Sequence, residues 1–118
     1  MQKIDYSVNV KLKNGNGVFF GPGPARLLLA VKQGSSLKQA SEQMGMAYSK
    51  AWRILRNAES QLGFPLLMKK RGGVGGGGSS LTAEAEKLLN QYLAFQKAVA
   101  LEADGLFRQY FGDNDDLS

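Results

Sequence analysis

A chain of 118 residues with 43% hydrophobic content is long enough for one compact domain with a real core. It holds no cysteine and no histidine, which excludes disulfides, thiol nucleophiles, Ser-His and Cys-His catalysis and the usual zinc ligand sets. Its net charge of +5 is uneven: residues 1–81 carry twelve Lys and Arg against three acids, and residues 82–118 carry three against seven, so the front part is expected to face a polyanion.

Ile4, Tyr6, Val8, Val10 and Leu12 alternate with Asp5, Ser7, Asn9, Lys11 and Lys13, a period of two that predicts a half-buried strand. Asn14-Gly15-Asn16-Gly17 supplies residues that accept a positive φ, and Val18-Phe19-Phe20 can return as a second strand, giving an N-terminal hairpin. Gly21-Pro22-Gly23-Pro24 then breaks the pattern and launches a helix, apolar on one side through Leu27, Leu28 and Val31 and ended by Gly34.

Ser36 and Gln39 have the spacing of a capping box at the start of a short helix that buries Leu37, Ala40 and Met44. Gly45 provides the left-handed residue at its end. A second helix runs from about Ala47 to Leu62, with Ala51, Ile54 or Leu55, Ala58 and Leu62 inward. Small Ala40 and Ala51 let the two helices approach closely. Helix, short glycine turn and helix form a helix-turn-helix, whose second helix enters a DNA major groove. Tyr48, Ser49, Lys50, Arg53 and Arg56 point away from the inner stripe and are the candidate groove contacts; Trp52 is read as packing.

Phe64-Pro65-Leu66-Leu67-Met68-Lys69-Lys70-Arg71, a glycine-rich loop and Leu81-Thr82 predict a strand, loop and return strand, which is a wing beside the recognition helix. Lys69, Lys70 and Arg71 are expected to hold phosphates. Gly73 and Gly78 have the separation of a phosphate-binding loop, but Ser79 stands where its lysine is required, and no pair of carboxylates is spaced for general acid-base work; an enzyme is not expected. From Ala83 to about Phe111 apolar residues recur every three or four positions, with Thr82 as N-cap and Glu84 and Glu86 in the first turn. A helix of that length measures about 43 Å, more than one small domain can cover. Its excess apolar surface predicts a twofold copy of the same chain, held through Leu88, Tyr92, Phe95, Val99 and Leu106.

The expected organisation is therefore mainly α with small β: a winged helix-turn-helix domain with an N-terminal hairpin over 1–81, a long dimerisation helix over 82–111 and an acidic tail over 112–118. No apolar run approaches the roughly 20 residues that cross a bilayer, and no leader is apparent, so no membrane partner and a cytoplasmic location are expected.

Met46-Ala47-Tyr48-Ser49-Lys50-Ala51-Trp52, Leu66-Leu67-Met68-Lys69-Lys70 and the run from Gly72 to Gly78 leading into Leu81-Thr82 carry a resemblance over nearly the whole chain. The chain resembles the N-terminal DNA-binding half of the ModE molybdate-responsive regulators, which is related to the winged domain of LysR-type regulators. The resemblance implies sequence-specific binding of a palindromic duplex by a homodimer, through recognition helix 47–62 and wing 68–80. A serine is usual in that family where this chain has Ala47, so a side-chain N-cap is expected to be missing. The family's molybdate-binding domains would begin where this chain ends, so no cofactor, molybdate included, is expected. Two other readings are a dimerising adaptor for a protein partner and an oxyanion-binding protein.

Overall fold

The computed structural model describes residues 3–69 and 78–112. Its elements in chain order are β1 (Leu12–Asn14), β2 (Gly17–Phe20), α1 (Pro22–Lys32), α2 (Leu37–Gln43), α3 (Tyr48–Leu62), β3 (Leu67–Lys69), β4 (Ser79–Leu81) and α4 (Ala83–Phe111). β1 pairs antiparallel with β2, and β3 with β4, as two separate two-stranded sheets. The fold is a winged helix-turn-helix followed by a long helix.

Each boundary has a local cause. Asn14 pairs with Gly17, and Gly17 takes a φ of +112° to close the hairpin. Pro22 sits in the first turn of α1, where its missing N–H has no helical partner to lose. At α2 both halves of the capping box form: Gln39 N–H donates to Ser36 Oγ at 3.0 Å, and Ser36 N–H donates to Gln39 Oε1 at 2.9 Å. Gly45 and Gly63 end α2 and α3 with φ of +66° and +83°. Thr82 Oγ1 accepts the Ala85 N–H at 3.1 Å and so caps α4.

α1 is the central post of the core, touching α2, α3, α4 and both hairpins. Phe20, Leu27, Leu28, Leu55, Leu66 and Leu89 are fully buried around it, each worth about 1.5–3 kcal/mol relative to exposure. Ala40, Ala51 and Ala58 are equally buried, which is how α2 and α3 approach so closely.

Two expectations are corrected. The alternation from Ile4 to Leu12 makes a strand only at its last residue, and residues 3–11 are extended but unpaired among the described residues. Return strand β2 is four residues long and stops at Gly21-Pro22, so no ladder partner exists for the earlier part. The segment lies along α4 instead. Val10 C=O accepts the Tyr92 hydroxyl at 2.7 Å, the Tyr6 ring stacks 4.7 Å from Phe107, and the Tyr6 hydroxyl bonds to Asp104.

The second correction concerns Tyr92, expected to hold a partner copy. It is 2% exposed, edge-on to Phe20 at 5.1 Å, and belongs to its own domain's core. The first turns of α4 bury Ala85, Leu89 and Tyr92, and Leu88 packs partly against the same core. Beyond that the helix projects: Phe95 and Leu106 are 53% and 52% exposed, with Val99 half-buried between them.

Burial raises the Tyr92 phenol pKa above its ordinary value. Tyr92→Phe keeps the ring but orphans the Val10 carbonyl. The expected loss is about 1 kcal/mol in a urea unfolding series, with the oligomeric state unchanged by sedimentation.

Candidate nucleic-acid interface

α3 is placed by its inner stripe. Ala51, Leu55 and Ala58 are buried, Ile54 is half-buried at the edge, and the residues between them must face out. Tyr48, Ser49, Lys50, Arg53 and Arg56 are all exposed on that outer arc, so the five recognition-helix candidates are brought together on one helix. Ala47 occupies the N-cap without a side-chain bond, leaving the first N–H groups of α3 uncapped by any hydroxyl.

One edge of the arc is ordered by aromatics. Tyr48 meets Trp52 edge-on at 6.3 Å, and the Arg56 guanidinium lies over the Trp52 ring at 5.2 Å. These residues are four apart and therefore stack along the helix. Trp52 packs partly against the core, so it serves as a floor that holds Arg56 in position. Asn57 and Ser60 are exposed on the same arc, and sequence reasoning omits them. Their spacing of four and seven from Arg53 is the signal that finds them. Among the described residues one ion pair is present, Lys32 with Glu86 at 3.5 Å, so Lys50, Arg53 and Arg56 keep their charge uncompensated.

Glu59 is the one acid of α3, and it has a structural task. Its Oε2 accepts the Leu66 N–H at 2.8 Å, tying the end of α3 to the root of the wing. In the wing itself, Leu67 pairs with Leu81, Met68 with Ser80 and Lys69 with Ser79. Lys69 is exposed at the end of β3. Lys70, Arg71 and the glycine run through residue 77 lie outside the described residues.

A cleft of about 580 Å³ opens between the end of α1, the start of α2 and β4. Its one cation among the described residues is Lys32, which is already paired with Glu86 and donates to Asn90 Oδ1 at 3.2 Å. Ser36 and Gln39 on its wall are spent on each other in the capping box. No group of His, Cys, Asp or Glu able to hold a metal occurs among the described residues, and no described helix is long and apolar enough to cross a membrane.

An outward-facing basic helix after a tight glycine turn, flanked by a strand pair, is the architecture of a winged helix-turn-helix domain. Residues 25–86 match the family of bacterial regulatory helix-turn-helix proteins of the lysR type. The chain belongs to that family. It is 34% identical over 92 residues to the transcriptional regulator ModE of Haemophilus influenzae, covering 78% of this chain and 35% of that one. It is 32% identical over 84 residues to the molybdenum-pterin-binding protein MopB of Rhodobacter capsulatus, covering 71% and 31%. Against the molybdenum transport protein ModE of Herbaspirillum seropedicae the figure is 35% over 71 residues, covering 60% and 26%. The chain thus spans about a third of the length of these curated relatives.

Glu59→Ala leaves the partly buried Leu66 N–H without its partner. A loss of about 1–3 kcal/mol in thermal or denaturant unfolding is expected, largely recovered in Glu59→Gln, whose amide oxygen can still accept.

Proposed function

We propose that this chain binds a palindromic operator as a homodimer, each copy placing α3 in a major groove and its wing against the neighbouring backbone. The observation that carries this is the pairing of two surfaces: an outer arc on α3 bearing Lys50, Arg53 and Arg56, and an unpartnered apolar face on the projecting half of α4. Lys50, at the start of α3, is read as a base contact and Lys69 as a phosphate contact. Lys70 and Arg71 extend the phosphate set in this reading.

The dimer seam follows Phe95, Val99 and Leu106, with Leu88 shared between core and seam and Tyr92 excluded by its burial. Tyr110, 73% exposed one turn beyond Leu106, extends the same face. Half-sites would then lie roughly 34 Å apart or a multiple of that. The protein acts in the cytoplasm in this reading, as a binding protein rather than an enzyme. Molybdenum figures in the names of two relatives; we assign the described residues DNA and no oxyanion.

A mobility-shift series over operators selected from genomic fragments tests the reading. Lys50→Ala is expected to change which sequences are bound, whereas Lys69→Ala weakens all alike and makes log K against log salt shallower by about 0.9, one phosphate's worth of counterions. An unchanged preference in Lys50→Ala would overturn its base contact. Leu106→Asp buries no charge in the monomer and should keep the helix content of wild type by circular dichroism while converting the dimer to monomer by sedimentation, with a lower melting temperature from the lost association. A wild-type protein that sediments as a monomer at micromolar concentration removes the dimer altogether.

A further inference from the structure

The N-terminal hairpin packs against the recognition helix on the flank opposite the wing. Residues two apart on a helix face about 200° apart. Glu59 holds the wing root through Leu66 N–H, and Gln61, two residues on, holds the hairpin turn: its Oε1 accepts from Asn14 Nδ2 at 2.9 Å and from Asn16 Nδ2 at 3.1 Å. The arc between these flanks contains Ser49, Lys50, Arg53, Arg56, Asn57 and Ser60, with no acid among them.

Lys13 lies in β1 and Lys11 one residue before that strand. Lys13 pairs across the strands with Val18, so their side chains share one face. Val18 in turn shares an apolar hollow of about 270 Å³ with Lys11, Ile54 and Asn57. Lys11 therefore stands beside the α3 surface at Asn57, and Lys13, opposite Val18, follows past a bulge between Leu12 and Lys13. Both are exposed, neither has an ion-pair partner among the described residues, and no acid occurs between Val10 and Phe20.

From this placement we infer that the N-terminal hairpin is a second phosphate-binding element, with Lys11 and Lys13 holding the DNA backbone on the side of the groove away from the wing. A helix lying in a major groove has a phosphate ridge along each flank. The wing reaches one ridge and the hairpin the other, so α3 is gripped from both sides. Gln61 is a positioning residue that fixes the hairpin turn against the end of α3. The inference rests on the DNA-binding role of α3 and adds a contact to it.

The test is fluorescence anisotropy of a labelled random-sequence duplex, titrated at several salt concentrations. Lys11→Ala/Lys13→Ala is expected to weaken binding several-fold and to make the slope of log K against log salt shallower by about 1.8, the counterions of two phosphates. Lys11→Arg/Lys13→Arg restores the slope, because charge rather than shape is at stake. A charge-matched control, Lys97→Ala/Arg108→Ala on the far half of α4, leaves the slope as in wild type. Equal slopes for the hairpin variant and wild type would overturn the hairpin contact while leaving α3 as the DNA surface. Equal losses in the hairpin variant and the charge-matched control would overturn it too, by showing that only net charge matters. A wild-type protein without salt-dependent binding would remove the DNA reading itself.

Discussion

The rotation of α3 about its own axis is the constraint on which the rest depends. Ala51, Leu55 and Ala58 are completely buried, and two of the three are too small to be replaced without pushing α3 off its neighbours. With that stripe fixed, the period of 3.6 decides every other direction. Trp52 and Glu59 fall toward the wing, Ile54 and Gln61 toward the hairpin, and the cations outward. A helix of the same sequence turned by one residue would bury Trp52 or Arg56 and expose Leu55. The basic arc is thus a consequence of where the alanines are, as much as of where the arginines are.

Thr82 carries that orientation to the long helix. Its hydroxyl donates to Pro65 C=O at 2.7 Å and accepts from Ala85 N–H, while its own N–H donates to Leu66 C=O at 3.1 Å. One residue therefore joins the segment entering the wing, the strand leaving it and the first turn of α4. Leu66 is also the residue that Glu59 holds, so the end of α3, the wing root and the start of α4 meet within a few ångströms of chain. Buried hydrogen bonds of this kind are costly to leave unmade. They tie the end of α3, through the wing root, to the start of α4.

Much of this was legible because it is local. The capping box of Ser36 and Gln39, the turn glycines and the span of α4 each rest on residues a few positions apart, and the basic arc follows from helical spacing alone. What escaped depends on contacts distant in sequence. The Ile4–Leu12 alternation is a true strand pattern, but β2 ends at Gly21-Pro22 before it can pair with more than the last part. A helical wheel of α4 places Tyr92 and Phe95 on one face; it cannot say that the domain covers the first and leaves the second bare. Glu59 is the one acid among the cations of α3, and only the path of the chain through Phe64-Pro65 brings Leu66 N–H to it.

The long helix has two unlike halves for a physical reason. Its first turns are apolar because they complete a core that α1, α2 and α3 leave open, and they bury Ala85, Leu89 and Tyr92 there. Its later turns are apolar with, among the described residues, only 3–11 beside them, and those cover the side bearing Asp104 and Phe107. The face bearing Phe95, Val99, Leu106 and Tyr110 is left bare, and only Glu102 interrupts it with a charge. Solvated surfaces seldom keep such a run of large apolar groups. In the dimer we propose, the joint at Thr82 then matters most: a rod of about 43 Å tied to each reading head turns the choice of seam into a choice of half-site spacing.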